Sequence, residues 1–206
     1  MSPRLAILDY GMGNLRSAEK ALEHVGARVE VTRDHDRVRA ASGVVLPGVG
    51  AFPKAMQAVR DLGYDELLRE RVGSGVPVLG ICLGMQLLFD STTELGGARG
   101  LGLLGGPVEE LEADGLKVPH IGWNPVRWER ETELSRGLGE ETAFYHVHSF
   151  APRPAAAADV AGRATYGAEF ASAVARPPVY GVQFHPEKSG PDGLRLLRNF
   201  VAACGA

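Results

Sequence analysis

Disulfide chemistry, a strong charge of one sign and long apolar runs are all missing from this chain of 206 residues. Its two cysteines, Cys82 and Cys204, are too few for a disulfide framework, which favours a reducing, cytoplasmic location. A net charge of -3 provides no positive field for nucleic acid or for an anionic membrane surface. The apolar run before Asp9 is shorter than a signal-peptide core, so we expect no targeting or membrane-anchoring segment.

The composition is that of an ordinary globular protein. Hydrophobic residues make up 45% of the chain and charged residues 23%, which excludes a disordered or fibrous class. At about 150 residues per domain as a soft prior, a chain of 206 residues predicts a single domain covering residues 1–206.

The first half alternates short apolar runs with segments of helical periodicity. Asn14 is expected to cap a helix that Gly26 ends, and residues 53–73 are expected to be helical. The expected strands are residues 5–9, 29–32, 44–47 and 77–81. Such runs are typical of buried parallel strands alternating with helices.

The second half is richer in short strands, with glycine and proline between them. Residues 151–162 are the one low-complexity stretch and are expected to form an exposed loop. A final helix is expected over residues 191–203. The fold class predicted is therefore α/β, with a mostly parallel central sheet flanked by helices and additional antiparallel strands.

The sharpest chemical signal is Gly80-Ile81-Cys82-Leu83-Gly84, at the end of a predicted strand and the start of a helix. This is the pattern of a nucleophile elbow, in which a strained turn favours glycine on both sides of the nucleophile. A thiol at such a turn is exposed, and a helix N-terminus favours its thiolate form. The alternative is a buried structural cysteine.

A thiolate nucleophile requires a base and a group that orients the base. In His185-Pro186-Glu187, side chains two residues apart on an extended segment lie on one side, so Glu187 could orient the His185 imidazole. The alternative is a surface His–Glu pair. A zinc site is not favoured, because no second cysteine lies close to Cys82 and no H-E-x-x-H motif is present.

Two glycine-containing turns follow other strands. In Pro47-Gly48-Val49-Gly50, the backbone N–H of Val49 or Gly50 could join that of Leu83 in an oxyanion hole, although an ordinary turn is the alternative. The turn at Gly11 invites a dinucleotide-binding interpretation, which fails because Arg16 occupies the place of the third glycine.

Aromatic residues of the second half have less specific interpretations. His146 and His148 alternate on one strand face, where a partly buried polar pair is the ordinary interpretation. Trp123 and Trp128 are expected to be packing residues, with a partner contact as the alternative for Trp123.

Taken together, these motifs resemble those of class I glutamine amidotransferases of the triad type, and among them the glutaminase subunits of imidazole glycerol phosphate synthases. The motifs cover nearly the whole chain in the order DYGMGN, LPGVGAF, GICLGMQLL, PHIGWN, YHVHSF and GVQFHPEKS. The resemblance implies Cys82 as nucleophile, His185 as acid and base, and Glu187 as the orienting carboxylate.

The resemblance also implies the residues that bind substrate and partner. Glutamine would be held by Gly48, Gln86, His148, Ser149 and Phe150. The partner, a cyclase subunit with a (β/α)₈ barrel, would meet Gly11, Asn14, Trp123 and Lys188.

The activity so implied is hydrolysis of L-glutamine to L-glutamate and ammonia, with the ammonia passed to the cyclase for histidine biosynthesis. The chemistry requires no cofactor and no metal. Two alternatives remain: a different Cys-His-Glu glutaminase or γ-glutamyl hydrolase, and a catalytically silent regulatory subunit.

Overall fold

The computed structural model describes residues 2–205, and its elements follow the predicted alternation of strands and helices. The helices are α1 (Leu15–His24), α2 (His35–Arg39), α3 (Phe52–Asp61), α4 (Tyr64–Gly73), α5 (Leu83–Leu87) and α6 (Gly190–Ala203). The strands of the first half are β1 (Arg4–Leu8), β2 (Arg28–Thr32), β3 (Gly43–Gly48) and β4 (Val78–Cys82). Those of the second half are β5 (Ser91–Thr92), β6 (Ala98–Arg99), β7 (Pro107–Glu110), β8 (His120–Trp128), β9 (Glu141–His148), β10 (Phe150–Pro152), β11 (Val160–Tyr166), β12 (Ala168–Arg176) and β13 (Val179–Val182).

Nine of these strands form one large mixed sheet, in the order β2-β1-β3-β4-β13-β12-β11-β8-β9. The five strands from β2 to β13 are parallel, and every pairing beyond β13 is antiparallel. A separate small sheet has the order β10-β7-β5-β6. The predicted α/β class is confirmed, and the antiparallel strands extend the edge of the same sheet.

The inner parallel strands β3, β4 and β13 are buried along their whole length because both faces of the sheet are covered. Leu5 and Ile7 of β1 belong to one hydrophobic cluster, which includes residues of α1 and α6. Ala6 and Leu8 of the same strand belong to a second cluster, with residues of α3 and α4. Because successive side chains of a strand point to opposite faces of the sheet, β1 contributes to the hydrophobic clusters on both faces.

The position of β13 in the sheet brings His185 close to Cys82. Its residues pair in parallel with β4, so that Val182 lies opposite Ile81. The carboxyl ends of the two strands therefore meet at one edge of the sheet. Cys82 ends β4 and His185 follows β13, which brings two residues that are distant in sequence to the same place.

Two local predictions are corrected in the first half. Residues 53–73 form two helices rather than one, because Gly63 adopts a left-handed conformation with φ +65° between α3 and α4. Asn14 holds the N-cap position of α1, but its side chain makes no capping hydrogen bond. The end at Gly26 is confirmed, since its φ of +99° favours glycine.

The expected exposed loop over residues 151–162 is wrong at both ends. Ala151 is buried in β10, and β11 begins at Val160, whose side chain is also buried. Only the middle, residues 155–158, is exposed. Alanine and proline gave the segment a low-complexity composition, yet small apolar side chains also fit a crowded sheet.

The short helix α2 was not predicted. Asp34 begins it, because its carboxylate accepts hydrogen bonds from the backbone N–H groups of Asp36, at 2.8 Å, and Arg37, at 3.3 Å.

None of the helices described within residues 2–205 has the length and apolar character needed to cross a bilayer.

Candidate active site

Cys82 occupies a strained turn between β4 and α5. Its φ of +55° and ψ of −115° lie outside the regions that a non-glycine residue ordinarily adopts. The flanking glycines are required by packing: a Cβ on Gly80 would lie 2.6 Å from the Gly84 carbonyl oxygen, and one on Gly84 would overlap the Leu46 carbonyl. The predicted elbow is therefore present, and strand and helix are in direct backbone contact around it.

His185 and Glu187 form a buried pair beside this turn. Nδ1 of His185 lies 2.8 Å from Oε1 of Glu187, and the two side chains are only 5% and 3% exposed. The backbone differs from the extended segment expected, because residues Pro186–Lys188 form a 3₁₀ turn. Ser189 stabilises the turn by donating its hydroxyl to the His185 carbonyl, at 2.6 Å.

The electrostatics of His185 follow from its neighbours. Burial lowers the pKa of its imidazole, but hydrogen bonding to Cys82 and Glu187 and their negative charges outweigh burial and raise the pKa to about 9. With this raised pKa the imidazole is charged near neutral pH, and it lies beside Cys82 and Glu187, which suits an acid that protonates a leaving group.

A pocket of about 310 Å³ opens at Cys82. Its lining includes nearly all of the residues predicted to bind glutamine or its oxyanion, together with two of the triad and Lys188. They are Val49, Gly50, Cys82, Leu83, Gln86, His148, Ser149, Phe150, His185 and Lys188. Gly48 and Glu187 instead line a smaller adjoining cleft with Asn14.

The predicted oxyanion donors lie at one edge of the sheet. Gly48 at the end of β3 pairs with Cys82 in register, so Val49 and Gly50 leave the sheet beside the elbow. Tyr10 holds the base of this segment by donating its hydroxyl to the Pro47 carbonyl, at 2.6 Å. Gly48 has no room for a side chain, because a Cβ there would lie 2.5 Å from the Tyr10 hydroxyl.

His148 lines the pocket as a neutral, immobilised side chain. Burial lowers its pKa to about 3, against an opposing hydrogen bond to the Phe150 carbonyl. Nδ1 of His148 lies 2.9 Å from that carbonyl, and Nε2 lies 3.1 Å from Nδ1 of His120. The ordinary interpretation of His146 and His148 as a buried polar pair describes the structure, while His148 also faces the pocket.

Two further residues of the site were not singled out from the sequence. Glu94 lines the pocket, and its Oε2 accepts a hydrogen bond from the backbone N–H of Phe52 at 2.8 Å. Gln183 is fully buried, and its Nε2 lies 3.8 Å from the Cys82 sulfur. Gln183 could have been identified from the sequence, since it stands two positions before His185 in the same motif.

The residues predicted to face a partner are exposed: Gly11, Asn14, Trp123 and Lys188. Trp123 is 58% exposed and touches Tyr145 edge-on, so the packing role expected for it is wrong. Trp128 does pack, with its ring against Phe144. Ile121, two residues before Trp123 on the same face of β8, is 59% exposed and extends an apolar surface.

Within residues 2–205, no group of three or more His, Cys, Asp and Glu side chains is placed to hold a metal ion. The cluster of His120, His146 and His148 is hydrogen-bonded instead to its surroundings and to itself.

Comparison with known proteins identifies relatives over nearly the whole chain. Residues 6–204 match the model of the family described as glutamine amidotransferase class-I. The chain is 52% identical to the imidazole glycerol phosphate synthase subunit HisH of Moorella thermoacetica over 196 residues, which are 95% of this chain and 93% of that protein. It is 48% identical to the HisH subunit of Bacillus cereus over 197 residues, with the same coverage of both chains.

Solved structures of low sequence identity have the same fold. A structure described as a glutamine amidotransferase superposes with a TM-score of 0.77 at 22% identity, covering 98% of this chain and 99% of the other. The PurLQS structure from Thermotoga maritima superposes with a TM-score of 0.79 at 20% identity and the same coverage. The family match and the identity to the HisH subunits show that this chain belongs to the class-I glutamine amidotransferases.

Proposed function

We propose that this chain is the glutaminase subunit of an imidazole glycerol phosphate synthase, hydrolysing L-glutamine to L-glutamate and ammonia for a cyclase subunit. The observation that carries the proposal is the strained Cys82 opening on a pocket beside the His185–Glu187 pair. The identity of 52% to a HisH subunit supports this choice over other amidotransferases.

The reaction begins when the Cys82 thiolate attacks the carbon of the glutamine carboxamide and forms a C–S bond. The oxyanion of the tetrahedral intermediate accepts hydrogen bonds from the backbone N–H of Leu83 and of Val49 or Gly50. His185 gives its proton to the nitrogen, the C–N bond breaks and ammonia leaves. His185, oriented by Glu187, then takes a proton from water, which hydrolyses the thioester to glutamate. No cofactor enters any step.

The pocket has charges and polar groups suited to an amino acid. Glu94 provides a carboxylate for the α-ammonium group, and it lies on the pocket wall together with Gln86. The segment His148–Ser149–Phe150 forms another part of the wall, and its Phe150 carbonyl accepts hydrogen bonds from the side chains of His148 and Gln86. Gly48 contributes by its lack of a side chain, which lets the oxyanion segment pack on the elbow.

The partner would be a cyclase subunit with a (β/α)₈ barrel that receives the ammonia. The exposed side chains of Ile121 and Trp123 offer an apolar docking surface near the pocket, since Ile121 pairs with Val147, which lines the pocket; the exposed Val49 also lines it. Gly11 and Asn14 belong to the loop after β1 and would extend it. Lys188 is exposed, lines the pocket and adjoins Glu187, so it would connect docking with catalysis.

Control by the partner would act on the oxyanion segment. If the Val49 carbonyl rather than the following N–H points into the hole, the hole is incomplete, and a flip of that peptide completes it. Lys188→Ala should therefore weaken the stimulation of glutamine hydrolysis by the partner. Stimulation equal to that of the unaltered chain would contradict the role of Lys188.

The decisive experiment measures glutamate release from glutamine by the purified chain, alone and with the cyclase subunit and its nucleotide ligand. Cys82→Ala is the blank. Cys204→Ala is the matched control, because burial raises the pKa of Cys204 to about 12 and keeps that thiol unreactive. Strong stimulation that is lost only in Cys82→Ala is the expected result.

Two other outcomes would overturn the proposal. Vigorous hydrolysis that is equal with and without the cyclase would indicate a free-standing Cys-His-Glu hydrolase. No hydrolysis under either condition, together with failure of a thiol-directed glutamine analogue to label Cys82, would indicate a regulatory subunit.

A further inference from the structure

A buried amide lies directly against the nucleophile. Gln183 has no exposed surface, and its backbone N–H is held by the Ser172 carbonyl at 2.8 Å. Its side chain spans between two groups of the site: Nε2 lies 3.8 Å from the Cys82 sulfur, and Oε1 lies 3.1 Å from Nε2 of Gln86. The triad chemistry described above makes no use of this side chain.

The orientation of the Gln183 amide follows from its neighbours. The Phe150 carbonyl only accepts hydrogen bonds, so the Gln86 atom 2.9 Å from it must be the nitrogen. The second N–H of that nitrogen then points at Gln183, whose nearest atom must be its oxygen. The nitrogen of Gln183 is thereby left facing the Cys82 sulfur as a donor.

A hydrogen-bonded series of side chains, Asn124, His120 and His148, also ends at the Phe150 carbonyl. His148 donates Nδ1–H to this carbonyl, so Nε2 of the neutral ring is an acceptor. His120 therefore donates its Nδ1–H to His148, and Asn124 donates to Nε2 of His120 at 3.3 Å. The same direction of donation runs through every link, and burial, which lowers the pKa of His120 and of His148, keeps both rings neutral.

The Cys82 sulfur thus lies between two groups with opposite preferences. As a thiol it donates to the Val147 carbonyl at 3.7 Å, and this contact favours the protonated form. The Gln183 N–H favours the thiolate, because a hydrogen bond to a charged acceptor is stronger than one to a neutral acceptor. Without the Gln183 side chain, the Cys82 sulfur would keep the Val147 carbonyl, which favours the thiol, and would lose the neutral donor that favours the thiolate.

We propose that the Gln183 side-chain amide is a further catalytic group, which donates a hydrogen bond to the Cys82 sulfur and stabilises its thiolate. The proposal rests on Cys82 as the nucleophile of the proposed function. It adds a neutral donor to the triad, held in place by Gln86 and the Phe150 carbonyl.

The test is the pH dependence of Cys82 alkylation by iodoacetamide, measured by mass spectrometry on the free chain. This reaction requires neither glutamine nor the cyclase, so it tests Gln183 even if the chain proves not to be a glutaminase. Gln183→Met removes the donor without adding charge, and Gln183→Glu keeps the shape and the acceptor for Gln86. The same substitutions at Gln57, an exposed residue of α3, are the matched controls.

The expected result in Gln183→Met is an upward shift of about one pH unit in the midpoint of alkylation. The Gln57 variants should keep the midpoint of the unaltered chain. In glutamine hydrolysis with the cyclase, Gln183→Met should lower kcat by about tenfold near neutral pH with little change in KM.

Several outcomes would overturn the proposal. An unchanged midpoint in a Gln183→Met variant that is merely less stable to urea would make the residue structural. A shift in Gln183→Glu alone would be the effect of the added carboxylate. If Gln183→Met does not fold, Gln183→Asn, which withdraws the amide by one methylene group, carries the same prediction and the same refutation.

Discussion

The fit of the elbow against its strand predicts the effect of a single methyl group. In Gly80→Ala the new Cβ would lie 2.6 Å from the Gly84 oxygen and 2.7 Å from the Met85 Cα, both of them backbone atoms. Real Cβ contacts are essentially never shorter than 3.0 Å, so α5 and β4 must separate by at least 0.4 Å. Such overpacking costs about 1–3 kcal/mol of unfolding free energy. Because Cys82 lies between the two elements, its sulfur must move as well.

The expected loss of glutaminase activity is roughly tenfold, since a displacement of 1 Å can cost about a hundredfold. Unfolding in urea, followed by tryptophan fluorescence, and glutamate release in the presence of the cyclase measure the two effects. Gly73→Ala is the control, because no atom lies within 4 Å of its Cβ and alanine is the better helix former by about 0.5–1 kcal/mol. Gly84→Ala should lower stability and activity more than Gly80→Ala, because its Cβ would overlap the Leu46 carbonyl. A Gly80→Ala variant as stable and active as the unaltered chain would refute the packing argument.

Three further predictions concern stability. Asp34→Ala should lower the unfolding free energy by about 1 kcal/mol in urea titrations, because it removes the cap of α2; no change would mean that the capping bonds are not formed in solution. Tyr10→Phe should cost about 1 kcal/mol through the hydrogen bond lost by the buried Pro47 carbonyl, and equal midpoints of urea unfolding would contradict this. His185 has a folded pKa of about 9, above its ordinary 6.5, so its contribution is fully present below pH 6.5 and is lost as pH rises through 9. The loss should be no more than about 3.4 kcal/mol and smaller in Glu187→Gln. Urea titrations of the unaltered chain and of Glu187→Gln across this pH range would refute the prediction if the two stability curves ran parallel.

The elbow could be predicted from the sequence because its cause is local. Two glycines around Cys82, after an apolar run, favour a turn in which the strand and the helix come into backbone contact, as the structure has it. The pairing of His185 with Glu187 was also predictable, since the partners are two positions apart and can meet whether the backbone is extended or a 3₁₀ turn. For His185 and Glu187 the partners lie within three residues of each other, whereas the elbow also depends on Leu46 of β3, whose carbonyl leaves no room for a side chain at Gly84.

Glu94 and Gln183 could not be assigned a role in the same way. Glu94 belongs to a turn near the small second sheet, and no periodicity indicates that its carboxylate reaches the N-terminus of α3. The donor role of Gln183 depends on Gln86 and Phe150, which lie on other elements. An amide is both donor and acceptor, so only the surrounding network decides which end faces the sulfur.

The position of β13 in the sheet could not be predicted from the sequence. This strand lies beside β4, although it comes last among the strands in the chain, and the parallel half of the sheet changes to antiparallel at it. Gly181 opposes Gly80, and a Cβ on Gly181 would lie 2.7 Å from the Met85 Cγ, so α5 packs directly over this pair. A slip of one residue would turn every side chain of β13 to the other face of the sheet. The Gln183 amide would then lose its position beside the Cys82 sulfur. The glycines of β4 and β13 therefore hold the register on which both the triad and the proposed donor depend.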